Sequence, residues 1–141
     1  IQQLQMMSTV SASMPTQQAI AEYLGQGGYD AHLKKLRQQL EQRQHRMLYA
    51  ISEYFPSDVK VNCPQGGYFL WLEFEPPFDA VKLYRMALNE QISIAPGSMF
   101  STSDQFNHAF RLNCSFEWNE RLDNAMKVLG QLCHVLKKTQ G

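Results

Sequence analysis

The segment Ile92–Ser115 constrains the fold most, because it joins two predicted strands through a long polar loop. A short apolar strand over residues 92–95 leads into a Pro96-Gly97 turn, which starts the loop. The loop is rich in Ser, Thr, Asp and Asn, whereas the strand that follows, up to Ser115, carries apolar and aromatic residues. This pattern predicts a β-sheet as one part of the fold.

One charged residue interrupts the second strand. Arg111 lies between Phe110 and Leu112, so its guanidinium is expected to point away from the face that buries those two side chains. Such an arginine is either a solvated strand residue or a fixed fork for an anion. The spacing alone favours the solvated residue, since most strand arginines are simply exposed.

An earlier pair of strands is predicted to form a hairpin. Residues 59–62 and 68–74 are joined by Pro64-Gln65-Gly66-Gly67, and paired glycines allow a tight turn. The second strand has a continuous apolar run over residues 69–72, which predicts that both of its faces are covered. Tyr68 and Trp71 could stack on a ligand, but core packing is the favoured interpretation.

The remaining segments show helical periodicity, and together with the strands they predict an α+β fold. The sheet is expected to have three or four antiparallel strands and to form a two-layer domain with the helices. Five helices are predicted, over residues 1–10, 14–24, 30–55, 79–89 and 117–137. Asp30 and Asp79 are expected to cap their helices, and Val135 is expected on the apolar stripe of the last one.

Charge and composition exclude several classes of protein. Thirteen basic and thirteen acidic residues cancel, so no global field favours nucleic acid or an anionic membrane. No apolar run approaches the roughly 20 residues that span a bilayer. Cys63, Cys114 and Cys133 are widely spaced among apolar residues, which is typical of reduced thiols in a cytoplasmic protein and not of a disulfide frame or a metal site.

Ser57 and Lys60 have the Ser-x-x-Lys spacing of some nucleophile–base pairs. The motifs that accompany this spacing in such enzymes are missing, so Lys60 is interpreted as an exposed strand residue. The sequence also has neither a G-x-G-x-x-G motif nor a Walker-type loop, and a nucleotide site is therefore not indicated.

Two stretches carry a family resemblance that extends over essentially the whole chain: CPQGGYFLWLEF and IAPGSMFSTSDQFNHAFRLNCS. They resemble the C-terminal small domain of fold-type-I pyridoxal-phosphate aminotransferases, and most closely the aminotransferase-like half of MocR-subfamily regulators of the GntR type. The resemblance implies that Arg111, in the "FRLN" strand, binds the α-carboxylate of an amino acid. It also implies that residues 1–27 are a helical segment beside a large domain and that residues 28–141 are the small domain.

The resemblance leaves two functions open. The first is a transcriptional regulator whose aminotransferase-like half binds pyridoxal phosphate and an amino acid or amino compound as effector, with DNA bound only by a separate N-terminal domain. The second is an α-amino-acid aminotransferase. Either protein is expected to be a homodimer without a membrane segment. The chain opens without Met, and it is expected to be a fragment that lacks the Schiff-base lysine and holds no cofactor by itself.

Overall fold

The computed structural model describes residues 13–62, 64 and 66–140. The helix predicted over residues 1–10 lies outside these residues. The described part has four α-helices, four strands and two short 3-10 turns. In chain order these are α1 (Met14–Gly25), α2 (Gly28–Tyr54), β1 (Lys60–Asn62), β2 (Phe69–Glu73), α3 (Ala80–Asn89), β3 (Ala95–Pro96), the 3-10 turns Gly97–Phe100 and Asp104–Phe106, β4 (Ala109–Asn113) and α4 (Glu120–Gln140).

By its internal contacts the chain divides into two units, and the division falls after Gln38, inside α2. The first unit contains α1, which has Pro15 in its first turn as predicted and buries none of its residues. Its exposed side chains include Met14, Ile20 and Leu24. The predicted domain boundary after residue 27 remains a prediction.

The long helix α2 begins two residues before the predicted cap. Gly28 and Tyr29 are already helical, so the prediction that Asp30 caps the helix is wrong. Asp30 lies instead in the first turn, where a negative charge interacts favourably with the positive end of the helix dipole.

The second unit contains one four-stranded antiparallel sheet with the order β1-β2-β4-β3, which confirms the predicted α+β class and the hairpin of β1 with β2. The strand predicted over residues 92–95 is misplaced, since β3 is only Ala95–Pro96. Its predicted first residue is held elsewhere: the backbone N–H of Ile92 donates to the carbonyl of Ala87, at the end of α3, over 2.8 Å. The backbone of Ile92 therefore bonds to the C-terminal end of α3 and does not pair within the sheet.

The hydrophobic core lies on one face of this sheet. Leu70 and Leu72 of β2 and Phe110 and Leu112 of β4 point into it and are almost fully buried. Side chains from the helices complete it: Met47, Ala50 and Ile51 from α2, Ala80, Leu83 and Ala87 from α3, and Met126, Leu129, Cys133 and Leu136 from α4. Burying this much apolar surface provides the main stabilisation of the fold.

The opposite face of the sheet is only partly covered. Phe69, Trp71 and Arg111 point to this face and are half-buried. The prediction that both faces of β2 are covered is therefore wrong. The strand alternates between buried and half-buried residues, as expected when the helices pack on one side only.

Two helix ends show how the sequence defines them. Asp79 caps α3 as predicted, and its carboxylate accepts hydrogen bonds from the N–H groups of Val81 and Lys82, both at 2.9 Å. The last helix starts at Glu120 and not at residue 117, because the Asn119 side chain accepts a hydrogen bond from the N–H of Leu122. Val135 is half-exposed, so its predicted place on the apolar stripe of α4 is wrong.

Cys114 and Cys133 are both buried, and Cys63 lies outside the described residues. Burial raises the pKa of the Cys133 thiol to about 12, because the thiolate is poorly solvated there. Among the helices of the described residues, none is long and apolar enough to cross a membrane.

Candidate functional site

Arg111 lies on the sheet face opposite the hydrophobic core. Its strand, β4, pairs on one side with β2 and on the other with β3, where Trp71 and Ala95 are the residues directly opposite Arg111. Hydrogen-bonded strands on both sides fix the backbone of Arg111. The side chain points away from the core, as the alternation with Phe110 and Leu112 predicted.

Two phenylalanine rings hold the guanidinium group of Arg111. Its Cζ atom lies 3.9 Å from the ring centroid of Phe69 and 4.3 Å from that of Phe100. At such distances the carbon must lie over the ring faces, because an approach in the plane of a ring would clash with the ring edge. A cation over an aromatic face is attracted by the ring quadrupole. We call Phe69 and Phe100 the aromatic clamp.

Arg111 is absent from the ion pairs that the described residues form. Among the residues whose side chains the structure describes, four basic side chains form ion pairs with carboxylates, and none of these pairs includes Arg111. A half-buried guanidinium that rests on aromatic faces still presents its N–H groups at its edges. An anion with two coplanar oxygens is the natural partner for that fork.

An open pocket of about 360 Å³ adjoins Arg111. Its walls come from the β1–β2 connection and from the open face of β2, including Gly66, Gly67, Tyr68 and Trp71. Arg111 is the one charged side chain among the residues that line it. The pocket therefore combines a single positive charge with apolar walls, as small-molecule sites often do.

Helix α2 donates side-chain hydrogen bonds to two backbone carbonyls, one in the β1–β2 connection and one just after β4. The Gln44 side chain donates a hydrogen bond to the carbonyl of Pro64 over 3.3 Å. The Arg43 guanidinium donates to the carbonyl of Ser115, just beyond β4. Both contacts connect the core helix to segments that border Arg111.

The loop after β3 contributes Phe100 of the clamp and one further aromatic ring, Phe106. Phe100 and Phe106, from the two 3-10 turns, contact Trp71 edge to face, with ring centroids 5.9 and 5.4 Å away. The turns come close because Gly97 has no side chain: a Cβ there would lie 2.3 Å from the carbonyl oxygen of Phe106. Neither phenylalanine is predicted from the sequence as part of this site. The detectable signal was two aromatic residues in an otherwise polar loop.

The predicted core roles of Tyr68 and Trp71 are wrong. Tyr68 precedes β2, is about half exposed at 47%, and contacts only the ring of Phe69 among the described aromatic residues. Trp71 is half-buried and faces Arg111 across the strand pair. Both rings line the pocket beside Arg111.

The Ser57–Lys60 pattern does not form a nucleophile–base pair. Lys60 forms an ion pair with Glu75 at the surface, and this hydrogen bond raises the pKa of the lysine. A raised pKa keeps the amine protonated at neutral pH, which is the opposite of what a catalytic base needs. Among the described residues, no cluster of His, Cys, Asp and Glu could hold a metal ion.

The described residues around Arg111 do not by themselves fit an anchor for pyridoxal phosphate. A lysine that forms a Schiff base must be desolvated and directed at the cofactor, and no lysine lines the pocket. Lys127 and Lys137 form ion pairs elsewhere, and they lower the pKa values of Asp123 and Asp58 by hydrogen bonding to them. Among the described residues, the pocket is thus lined by one guanidinium and by no lysine.

The amino-acid sequence is similar to parts of known transcriptional regulators. No protein-family model matches the chain. It is 48% identical over 132 residues to the uncharacterized HTH-type transcriptional regulator YdcR of Escherichia coli (strain K12), covering 94% of this chain and 28% of the regulator. It is 33% identical over 116 residues to the HTH-type transcriptional regulator NorG of Staphylococcus aureus (strain USA300), covering 82% of this chain and 26% of that protein. The chain thus spans about a quarter of the length of these relatives.

The similar solved structures include an aminotransferase. LysN, the α-aminoadipate aminotransferase of Thermus thermophilus, superimposes with a TM-score of 0.82 at 25% identity, covering 97% of this chain and 35% of LysN. These two kinds of likeness agree with the resemblance carried by the strand of Arg111 and the hairpin before it. The chain is homologous to a part of HTH-type transcriptional regulators and has the fold of a part of an aminotransferase.

Proposed function

We propose that this chain is the carboxylate-binding part of a longer transcriptional regulator, in which an amino acid or amino compound bound at Arg111 acts as the effector. The sequence likeness to the regulators YdcR and NorG supports the regulatory role. In this proposal a separate N-terminal domain binds DNA, the full-length protein is a cytoplasmic homodimer, and a lysine outside this chain anchors pyridoxal phosphate. The bound cofactor would supply an electrophilic carbon that captures the amino group of the effector.

The observation that carries the proposal is the state of Arg111. Its backbone is fixed by two neighbouring strands, its guanidinium lies over two rings, and no described carboxylate neutralises it. A pre-positioned guanidinium loses little conformational freedom when it binds an anion. The LysN structure supports the choice of ligand, since that protein is complexed with N-(5'-phosphopyridoxyl)-L-leucine, a compound of the cofactor with an amino acid.

The test uses the full-length, cofactor-loaded protein in isothermal titration with the proteinogenic amino acids. Each amino acid that binds is then compared with its decarboxylated amine, which differs by the carboxylate alone. A charge-assisted hydrogen-bonded pair contributes about 1.5–3 kcal/mol, so the amino acid should bind about ten- to hundredfold more tightly. Equal affinities for the acid and the amine would refute the proposed role of the site.

The alternative function is an α-amino-acid aminotransferase, which the fold of LysN also supports. A second measurement separates the two functions. A regulator should bind a DNA fragment from its own promoter region with an affinity that the amino acid changes. An aminotransferase should instead convert the amino acid steadily when a 2-oxo acid is supplied, without any effect of the amino acid on DNA.

A further inference from the structure

The two rings of the aromatic clamp lie against the guanidinium of Arg111. We propose that Phe100 is a specificity-determining residue: with Phe69 it holds the guanidinium so that only a planar carboxylate forms two hydrogen bonds, while a tetrahedral anion of equal charge is disfavoured. This inference rests on the proposed function, because it concerns the ligand that Arg111 binds.

The planar shape of the Arg111 guanidinium limits where its hydrogen bonds can form. All five N–H donors of an arginine lie in one plane, so every strong hydrogen bond must be made near that plane. Cζ of Arg111 lies 3.9 and 4.3 Å from the two ring centroids of the clamp, at van der Waals contact. In this proposal the guanidinium plane lies along both ring faces, so that the rings restrict its tilt and an incoming anion approaches along its open edge.

The shape of the anion decides whether both of its oxygens can bind in the guanidinium plane. In a carboxylate the two oxygens and the attached carbon are coplanar, so an amino acid that binds with both oxygens extends within the guanidinium plane. A phosphinate has the same single negative charge and two oxygens, but its phosphorus is tetrahedral. When both of its oxygens lie in the plane, its carbon and its hydrogen project above and below that plane, towards the regions next to the clamp rings.

The rings of the aromatic clamp offer an anion no favourable contact. Phenylalanine cannot donate a hydrogen bond, and the face of its ring carries negative charge density. A tetrahedral anion that turns to avoid the rings therefore brings its oxygens towards faces that repel them or gives up one of its two hydrogen bonds. Losing one charge-assisted bond corresponds to a loss of affinity of about tenfold.

Phe100 is the informative member of the clamp. It lies in a 3-10 turn and its side chain is 45% exposed, whereas Phe69 lies within a strand of the sheet. Phe100→Leu removes the flat ring but keeps an apolar side chain. Phe100→Tyr keeps the ring face and is the conservative variant, which should bind the ligands as the wild type does. Phe116→Leu is the matched control, because Phe116 is also exposed, at 59%, and lies outside the pocket of Arg111.

The experiment is isothermal titration of the full-length, cofactor-loaded protein and its three variants. The ligands are the proteinogenic amino acid that binds most tightly, its α-aminophosphinic analogue, and its decarboxylated amine. In the wild type, Phe100→Tyr and Phe116→Leu, the carboxylate should bind about tenfold or more tightly than the phosphinate. In Phe100→Leu this ratio should fall towards one, while the affinity for the amine stays unchanged.

The possible failures are distinguishable. If no amino acid binds better than its amine, the proposed function is refuted, and the inference fails with it. If amino acids bind better than amines but the phosphinate binds as tightly as the carboxylate in the wild type, only the inference is refuted. The same holds if Phe100→Leu keeps the wild-type ratio, or if it weakens all three ligands equally, since the ring would then have a purely structural role.

Discussion

Trp71 and Arg111 lie directly opposite each other on the antiparallel strands β2 and β4. This pairing makes them neighbours on the face of the sheet opposite the hydrophobic core. Because Phe100 and Phe106 contact the same tryptophan, one cross-strand pair connects the sheet, the loop after β3 and the guanidinium. The site therefore depends on the loop conformation as well as on the strand.

Gly97 should be the residue of the loop that tolerates substitution least. In Gly97→Ala the new Cβ would lie 2.3 Å from the Phe106 carbonyl oxygen and 2.7 Å from the Phe106 Cβ, so the two 3-10 turns must separate. We expect a loss of about 1–3 kcal/mol in the free energy of unfolding, as for other overpacked sites. Urea unfolding followed by tryptophan fluorescence measures this loss.

Gly66→Ala is the control for that experiment. A Cβ at Gly66 meets nothing within 4 Å. The free energy of unfolding of Gly66→Ala should therefore stay within about 0.5 kcal/mol of the wild-type value. If Gly97→Ala were as stable as Gly66→Ala, the close approach of the two turns would be contradicted.

The sequence predicted the class of the fold because helix and strand periodicities differ clearly along this chain. It also predicted that Arg111 points away from the core, since alternation in a strand needs no knowledge of the tertiary structure. The aromatic clamp could not be predicted in this way. Phe69 and Phe100 are far apart in sequence, and only the pairing of β2 with β4 and the folding of the loop bring both rings to Arg111.

The errors have a common physical origin. A continuous apolar run is compatible with a strand covered on both faces and with a strand that has the core on one face and an open pocket on the other. The residues 69–72 belong to the second kind, so Trp71 lies at the pocket and not in the core. Likewise, Ile92 looked like the start of a strand, but its N–H bonds to the end of a helix.

Alkaline pH should destabilise the fold through Cys133. Below pH 9 the thiol is protonated in both the folded and the unfolded state and contributes no pH dependence. Above that value the unfolded chain releases the proton, while burial keeps the folded pKa at about 12. Stability should therefore fall as the pH rises from 9 towards 12, by about 1.4 kcal/mol per pH unit from this group.

The comparison of the wild type with Cys133→Ala isolates this contribution. Urea unfolding at several pH values between 9 and 11 gives the slope for each protein, and other titrating groups contribute equally to both. Cys133→Ala is expected to be less stable because it leaves a cavity. Its free energy of unfolding should, however, fall less steeply with pH, by about 1.4 kcal/mol per pH unit. Identical slopes would contradict the burial of the thiol.

The chain on its own should bind no stoichiometric pyridoxal phosphate. No lysine lines the pocket of Arg111, and Lys60, Lys127 and Lys137 form surface ion pairs. Absorbance titration followed by borohydride reduction and mass spectrometry should find only scattered substoichiometric adducts. A single lysine modified in one-to-one ratio would contradict the assignment of the cofactor anchor to a part of the protein outside this chain.

The most direct test of the account is the substitution Arg111→Lys in the full-length, cofactor-loaded protein. Lysine keeps the positive charge but has neither the fork nor the flat surface that the two rings hold. The control is Arg46→Lys, because Arg46 also lies over two rings, those of Tyr49 and Trp118, but outside the pocket of Arg111.

The measurement is the dissociation constant of an amino acid and of its decarboxylated amine for each protein. Arg111→Lys should weaken the binding of the amino acid by about ten- to hundredfold and leave the amine unchanged, whereas Arg46→Lys should change neither. Equal losses for the acid and the amine would show that Arg111 only supports the fold. Unchanged binding of both would mean that Arg111 is a solvated strand residue, and the central claim would be wrong.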